Sequence, residues 1–150
     1  MCAKGHEVFA NPAPATGVVL VTDKKEVVLA VRGIEPGKGR LDLAGGFCEL
    51  NETLEEAAAR ELEEELSLSR EDYGPLQYVM SVSDPYDFDG ETFTALGVIY
   101  WAKLKPGARI VPGDDAAGYV TVAAKDIDFG KVAFKGEELA LRRLMEMRVI

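Results

Sequence analysis

The stretch Gly46–Leu68, GFCELNETLEEAAARELEEELSL, constrains this chain more than any other part of it. Thr53 and Glu56 have the spacing of a capping box, in which each side chain satisfies a free backbone N–H at a helix start. From Leu54 onward the residues are good helix formers, with no glycine or proline before Ser67. At about 100° per residue, Leu54, Ala57, Ala58 and Leu62 gather on one side as the stripe that should face a core. Glu61 and Glu65 project into the middle of that stripe and Glu64 borders it, whereas Glu56 and Glu63 point away as surface charges. Carboxylates related by i, i+3 and i+4 repel and raise one another's pKa, and burying them unpaired is costly. Either the inner side of the helix is only partly covered, or positive charge meets the acids there. Arg60 lies toward the flank, and one guanidinium cannot neutralise three acids. A hard divalent cation such as Mg²⁺, which takes oxygen ligands, can.

The segment before the helix favours the cation. Leu41–Leu43 reads as a short strand running into Gly45-Gly46, where glycine permits a tight turn and close backbone approach to a ligand. The whole reads G-x5-E-x7-R-E-L-x-E-E-x-S-L. This resembles the signature of the Nudix hydrolases, G-x5-E-x7-R-E-U-x-E-E-x-G-U with U bulky and aliphatic, and departs from it only at Ser67. The family glycine there supplies a left-handed helix end, so serine should cost about 1 kcal/mol of stability while leaving the acids in place. Ala44 stands where many relatives have proline.

The resemblance implies an α/β fold, an α/β/α sandwich around a mixed β-sheet. It also implies hydrolysis of a phosphoanhydride in a nucleoside diphosphate linked to another group, such as ADP-ribose or NADH. Mg²⁺ or Mn²⁺ would be held by Glu61, Glu64 and Glu65, with the Gly46 carbonyl as a further ligand. Glu52 would bind metal or hold Arg60, and Arg60 would orient the acids through charge-assisted hydrogen bonds. Family members carry the general base on the motif helix or on a later loop. Glu61 is the first choice, with Glu91, Asp114 and Asp115 as loop alternatives that also read as turn or surface residues.

At 150 residues and 47% hydrophobic composition, one soluble domain with a substantial core is expected. The net charge of −9, without a basic stripe, argues against a nucleic-acid polymer as partner. It does not argue against a small nucleotide, because bound metal ions reverse the local potential. Cys2 and Cys48 form no disulfide framework, and neither a signal peptide nor a membrane-length apolar run is present, so a cytoplasmic protein is expected. Cys48 reads as a packed thiol. Residues from Cys2 to Pro12 resemble the end of the zinc ribbon that precedes the catalytic domain in some NADH-pyrophosphatase-like relatives. One cysteine and His6 cannot close a four-ligand zinc site, so a lead-in without metal is expected.

Thr16–Thr22 and Glu26–Arg32 read as a hairpin about Asp23-Lys24-Lys25. Leu76–Ser83 and Thr92–Leu104 read as strands joined by the polar, aromatic stretch Asp84–Glu91. Gly118–Val122 reads as a short strand and Glu137–Met147 as a closing helix. Ser83-Asp84-Pro85-Tyr86-Asp87-Phe88 loosely resembles the S-Q-P-W-P-F element of NADH pyrophosphatases. Tyr86 or Phe88 would then stack on a base, although Pro-Tyr and Asp-Gly turns explain the segment equally. Arg32, Lys38 and Arg40 could reach substrate phosphates, although loop cations are commonplace, while Trp101 reads as core. A nucleoside triphosphate pyrophosphohydrolase, an isoprenoid diphosphate isomerase and a non-catalytic nucleotide-binding module share the helix. The last should lack one of the acids, and all four are present. Homodimers are common in the family.

Overall fold

The computed structural model describes Gly5, residues 11–113 and residues 115–150. Cys2, His6 and Asp114 therefore lie outside the described residues. Seven strands and two α-helices follow in the order β1 (Ala13–Val21), β2 (Glu26–Arg32), β3 (Leu41–Asp42), β4 (Ala44–Phe47), α1 (Leu54–Leu66), β5 (Gln77–Phe88), β6 (Glu91–Lys103), β7 (Ala116–Ala123) and α2 (Lys135–Glu146). None of the described helices is long and apolar enough to cross a membrane.

Alternation along the strands divides the core in two. Val18 and Leu20 of β1, Val28 of β2, and Tyr100 and Ala102 of β6 pack with Ala58, Leu62 and Leu66 of α1. Their neighbours Val19, Val21, Val27, Leu29 and Ile99 pack with Ala140, Leu141 and Leu144 of α2. Side chains of period two thus bury both faces of one mixed sheet, each under a helix, the α/β/α arrangement anticipated from the sequence. Trp101 packs against the α2 side, as expected.

The centre of the sheet is not continuous. The first half of β1, Ala15–Val18, pairs antiparallel with β4, while Leu20 and Val21 pair with β2. β2 in turn leaves β1 after Val28 and pairs with β3 through Ala30 and Val31. β1 and β2 therefore part from one another, and the short β3–β4 segment lies between them. Along its other edge β1 runs parallel to β6 over its full length.

The β5–β6 hairpin corrects the expectation of a linker from Asp84 to Glu91. Both strands continue to a two-residue turn, Asp89-Gly90, with Phe88 opposite Glu91 and positive φ at both turn residues (50° and 81°). That is the geometry that matches strand twist in a tight hairpin. Only the Asp-Gly half of the turn reading holds, for Pro85 and Tyr86 are strand residues. Proline is tolerated there because β5 is an edge strand and need not donate along its free side. A bulge between Tyr78 and Met80 shifts the register: Tyr78 faces Tyr100 on the α1 side, and Met80 faces Ile99 on the α2 side. One extra residue thereby turns Val82, Asp84 and Tyr86 toward α2.

α1 starts with the anticipated capping box, the Thr53 side chain accepting from Glu56 N–H and the Glu56 carboxylate from Thr53 N–H. Ser67 takes the left-handed conformation expected of the family glycine (φ 56°, ψ 34°). Its hydroxyl donates to the Val111 carbonyl at 3.0 Å, which offsets part of the strain. The buried stripe is Ala57, Ala58, Leu62 and Leu66; Leu54 is only half-buried.

Candidate functional site

Where β1 and β2 part lies a cavity of about 240 Å³ that both helices border. Glu61 and Glu65 reach it from α1, Phe134 and Glu137 from the start of α2, and Arg32 and Asp42 from β2 and β3. Ala15, Ala95 and Gly97 make a floor almost free of side chains.

On the α1 side, Arg60 organises the acids. Its Nε and Nη2 donate to the two oxygens of Glu52 at 2.9 and 3.0 Å, and Nη2 also donates to the Phe47 carbonyl. Nη1 donates to Glu61 at 2.8 Å and to Glu64 at 2.9 Å. These bonds, those to Glu52 first, hold the guanidinium well above its usual pKa, and Arg60 correspondingly lowers that of Glu52. The expectation that Arg60 sits at the flank is met in position but not in reach, since its fork binds three carboxylates.

Glu65 lies on the cavity side of that network and accepts from Gly45 N–H at 3.2 Å. Burial, followed by the charge of Asp42, pushes its carboxyl up to about 8. Burial also raises Glu61, outweighing the hydrogen bond from Arg60. The main chain leaves room only for glycine at residue 45, and the missing Cβ at residue 46 makes room for an acid of α1. A Cβ at residue 45 would strike the Thr16 carbonyl, and one at residue 46 would occupy the space of the Glu61 carboxylate.

These groups are oxygen donors of excess negative charge, closely approached by main chain, and their chemistry fits a hard divalent cation. Among the described residues, however, no three acidic, histidine or cysteine side chains are drawn together as a ligand cluster. Arg60 draws Glu61 and Glu64 while Glu65 turns to Gly45, so the shared helix face is as anticipated but the side chains are spread over it.

Opposite stands an aromatic wall that the sequence indicated only through Tyr86 and Phe88. The Tyr86 ring meets Phe47 edge-on at 5.0 Å, lies 5.5 Å from Phe93 and stacks on Phe134 at 5.8 Å. The Arg32 guanidinium sits 5.0 Å over the other ring of that stack, Phe134. Arg32 also pairs with Asp42 and donates to the Pro36 carbonyl at 2.6 Å. Burial works against its charge, but Asp42 beside it holds the guanidinium protonated above its ordinary range. Phe88 lies at the outer mouth, which Ile34, Phe93 and Asp115 also line.

The remaining candidates divide. Asp115 borders the cavity, and its backbone carbonyl accepts from Gly33 N–H at 2.7 Å. Glu91 is exposed at the turn end of the hairpin and does not line the cavity, because β5 and β6 carry it outward as they extend to Asp89-Gly90. Arg40 donates to the Gly130 carbonyl, and neither it nor Lys38 borders the cavity. Cys48 is half-buried, and burial raises its thiol, in keeping with a packed residue.

Two acids that sequence reasoning passed over complete the site. Asp84 accepts the Gly136 N–H with both oxygens, at 3.1 and 3.0 Å, and so caps α2, whose own cap residue Phe134 has no side-chain acceptor. Glu137, in the first turn of α2, is buried and accepts from Leu43 N–H at 3.3 Å. An Asp-Pro pair and a helix-start glutamate read as ordinary turn and first-turn chemistry. Nothing in their spacing points to a cavity.

The NUDIX domain profile matches residues 11–142, and the chain belongs to the Nudix hydrolase family. An ADP-ribose pyrophosphatase of Methanocaldococcus jannaschii is 40% identical over 65 residues, 43% of this chain and 38% of that protein. A Nudix hydrolase of Nitrosomonas europaea superposes with a TM-score of 0.74 at 27% identity, over 99% of this chain and 78% of that one. The NUDIX domain of Shewanella oneidensis NrtR, solved with ADP ribose, gives a TM-score of 0.76 at 20% identity, over 97% and 95% of the two chains. At that identity the likeness concerns the fold.

Proposed function

We propose that this chain hydrolyses the phosphoanhydride of a nucleoside diphosphate derivative, with ADP-ribose the foremost substrate, in a reaction dependent on Mg²⁺ or Mn²⁺. One observation carries this reading: a single cavity joins the acid face of α1 to an aromatic wall. A diphosphate needs the first and a nucleobase the second. Putting ADP-ribose first draws support from a partly matched relative named an ADP-ribose pyrophosphatase and from a similar fold solved with ADP ribose.

Glu61, Glu64 and Glu65, with the Gly46 carbonyl, would hold the metal, which neutralises charge on the phosphoryl oxygens and lowers the pKa of a bound water. Glu52 acts through Arg60, since both its oxygens are committed to that guanidinium. Arg60 sets the orientation of Glu61 and Glu64. Glu61 is the general base of this reading, because its carboxylate faces the cavity beside the other acids of α1, and Asp115 is the loop alternative. Arg32 and the Tyr86–Phe134 stack form the side on which the nucleoside rests.

A hydrolysis screen over ADP-ribose, NADH, dinucleoside polyphosphates, nucleotide sugars and nucleoside triphosphates, each with Mg²⁺ and with Mn²⁺, tests the reading. Highest kcat/KM on ADP-ribose is expected. A preference for triphosphates would reassign the substrate class, and turnover of none would leave nucleotide binding without catalysis.

A further inference from the structure

The outer half of the β5–β6 hairpin has little to hold it. β5 is an edge strand, bonded only to β6, and β1 begins opposite Ala95. Beyond that rung the hairpin is a two-stranded ribbon, which is marginal by itself. Tyr86, paired with Phe93, lies on the ribbon, whereas Asp84, paired with Ala95, sits on the last rung that β1 supports. With a period of two, both side chains face the α2 side. Phe134, the ring on which Tyr86 stacks, is the cap residue of α2. The stack therefore joins two segments distant in sequence, and its spacing depends on how closely β5 approaches the start of that helix.

Two features fix the approach. Both Asp84 oxygens accept from Gly136 N–H, a free donor of the first turn of α2, two residues after Phe134. Among the described residues no other hydrogen bond joins β5 to α2. The second feature is the missing side chain at Gly136, where a Cβ would strike the Asp84 carboxyl and lie 2.7 Å from Val82 Cβ. Glycine is a poor helix former, and close approach of the strand accounts for it here.

We propose that Asp84 and Gly136 are positioning residues for the nucleoside, a role that rests on the hydrolase reading for the identity of the ligand. Their contact sets the separation of Tyr86 from Phe134, and with it the affinity of the aromatic wall for a flat ring. Asp84 needs no contact with the ligand to do this, since both its oxygens are turned to Gly136. Arg32, seated over the other partner of the stack, keeps its place only while Phe134 does. A cap serving the helix alone would add stability to α2 and leave affinity unchanged.

The test is the dissociation constant of ADP-ribose, measured by calorimetry in EDTA on wild type, Asp84→Ala, Asp84→Asn and Gly136→Ala, each well below its Tm. Asp84→Ala should weaken binding about tenfold, within the worth of a stacked base. Asp84→Asn keeps an acceptor for Gly136 N–H and should recover most of that loss. Gly136→Ala leaves Asp84 in place and puts a better helix former into α2, yet should weaken binding similarly by holding β5 away from Phe134. With Mg²⁺ the loss should appear in KM, with kcat falling much less. Wild-type affinity in Asp84→Ala or in Gly136→Ala overturns the inference, even where Tm falls, and so does failure of wild type to bind ADP-ribose. Should Asp84→Ala fail to fold, Gly136→Ala decides by the same criterion. Absence of turnover with Mg²⁺ alongside weakened binding in the variants would instead remove the hydrolase reading and leave this one standing.

Discussion

Both helices bring acids to the same cavity, and they treat them oppositely. On α1 the fork of Arg60 spans Glu52, Glu61 and Glu64, so the acids are held and directed by a cation. At the start of α2, Glu137 is enclosed with one backbone donor and a carboxylate neighbour, and burial pushes its carboxyl well above the usual range. The difference shows how one residue type serves two ends. Beside a guanidinium and near solvent, a carboxylate remains an acceptor suited to a cation. Shut away from both, it holds its proton more tightly.

The largest expected effect comes from breaking the α1 side alone. Glu64→Gln should lower Mg²⁺-dependent kcat about a thousandfold, the scale of losing a metal ligand that stabilises developing charge. The half-exposed position of Glu64 should leave the circular dichroism spectrum and Tm nearly unchanged. Full activity in this variant would remove Glu64 from the metal site and leave α1 with only a structural use for that acid.

A smaller effect separates the acids by pH. Glu65 has its folded pKa near 8 against an ordinary 4.5, so between those values the folded chain keeps a proton that the unfolded chain has lost. Stability should therefore fall as pH rises through that interval. Thermal unfolding in EDTA should show Tm declining from about pH 5 to about pH 8, with a flatter decline in Glu65→Gln. Added Mg²⁺ should raise the wild-type Tm more at the upper end, because a cation competes with the proton. Identical slopes for the two proteins would mean that Glu65 is not the group responsible.

The smallest effect lies at the end of α1. Ser67→Gly relieves the left-handed strain, about 1 kcal/mol, and gives up an exposed hydrogen bond to Val111 worth about half of that. A net gain of about 0.5 kcal/mol is expected by urea denaturation. A loss would show that the tie to the Val111 loop outweighs the strain.

Much of the α1 side was legible because it is local. A capping box, an apolar stripe interrupted at Glu61 and Glu65, and two glycines before the helix all fall within a few turns of chain. Helical periodicity alone converts that spacing into a shared face. The β1–β2 hairpin was legible for the same reason. The aromatic wall and the Asp42–Glu137 pair were not, because each joins residues from distant segments. Tyr86 faces the cavity only because a bulge after Tyr78 reverses which side of β5 points inward. Residues 84–88 looked like a loop because Pro85 breaks strand patterns everywhere except at a sheet edge, and edge position is not written locally.

By itself, then, the sequence determined the chemistry of one helix face, where carboxylates lie and what kind of ion they suit, since that depends on spacing along a single element. Tertiary structure decided what faces it. The parting of β1 and β2 brings α1 and α2 to a common cavity, and enclosure there, rather than residue identity, raises the proton affinity of Glu137. Burial and neighbouring charge set a carboxyl's protonation, and neither exists until the chain has folded.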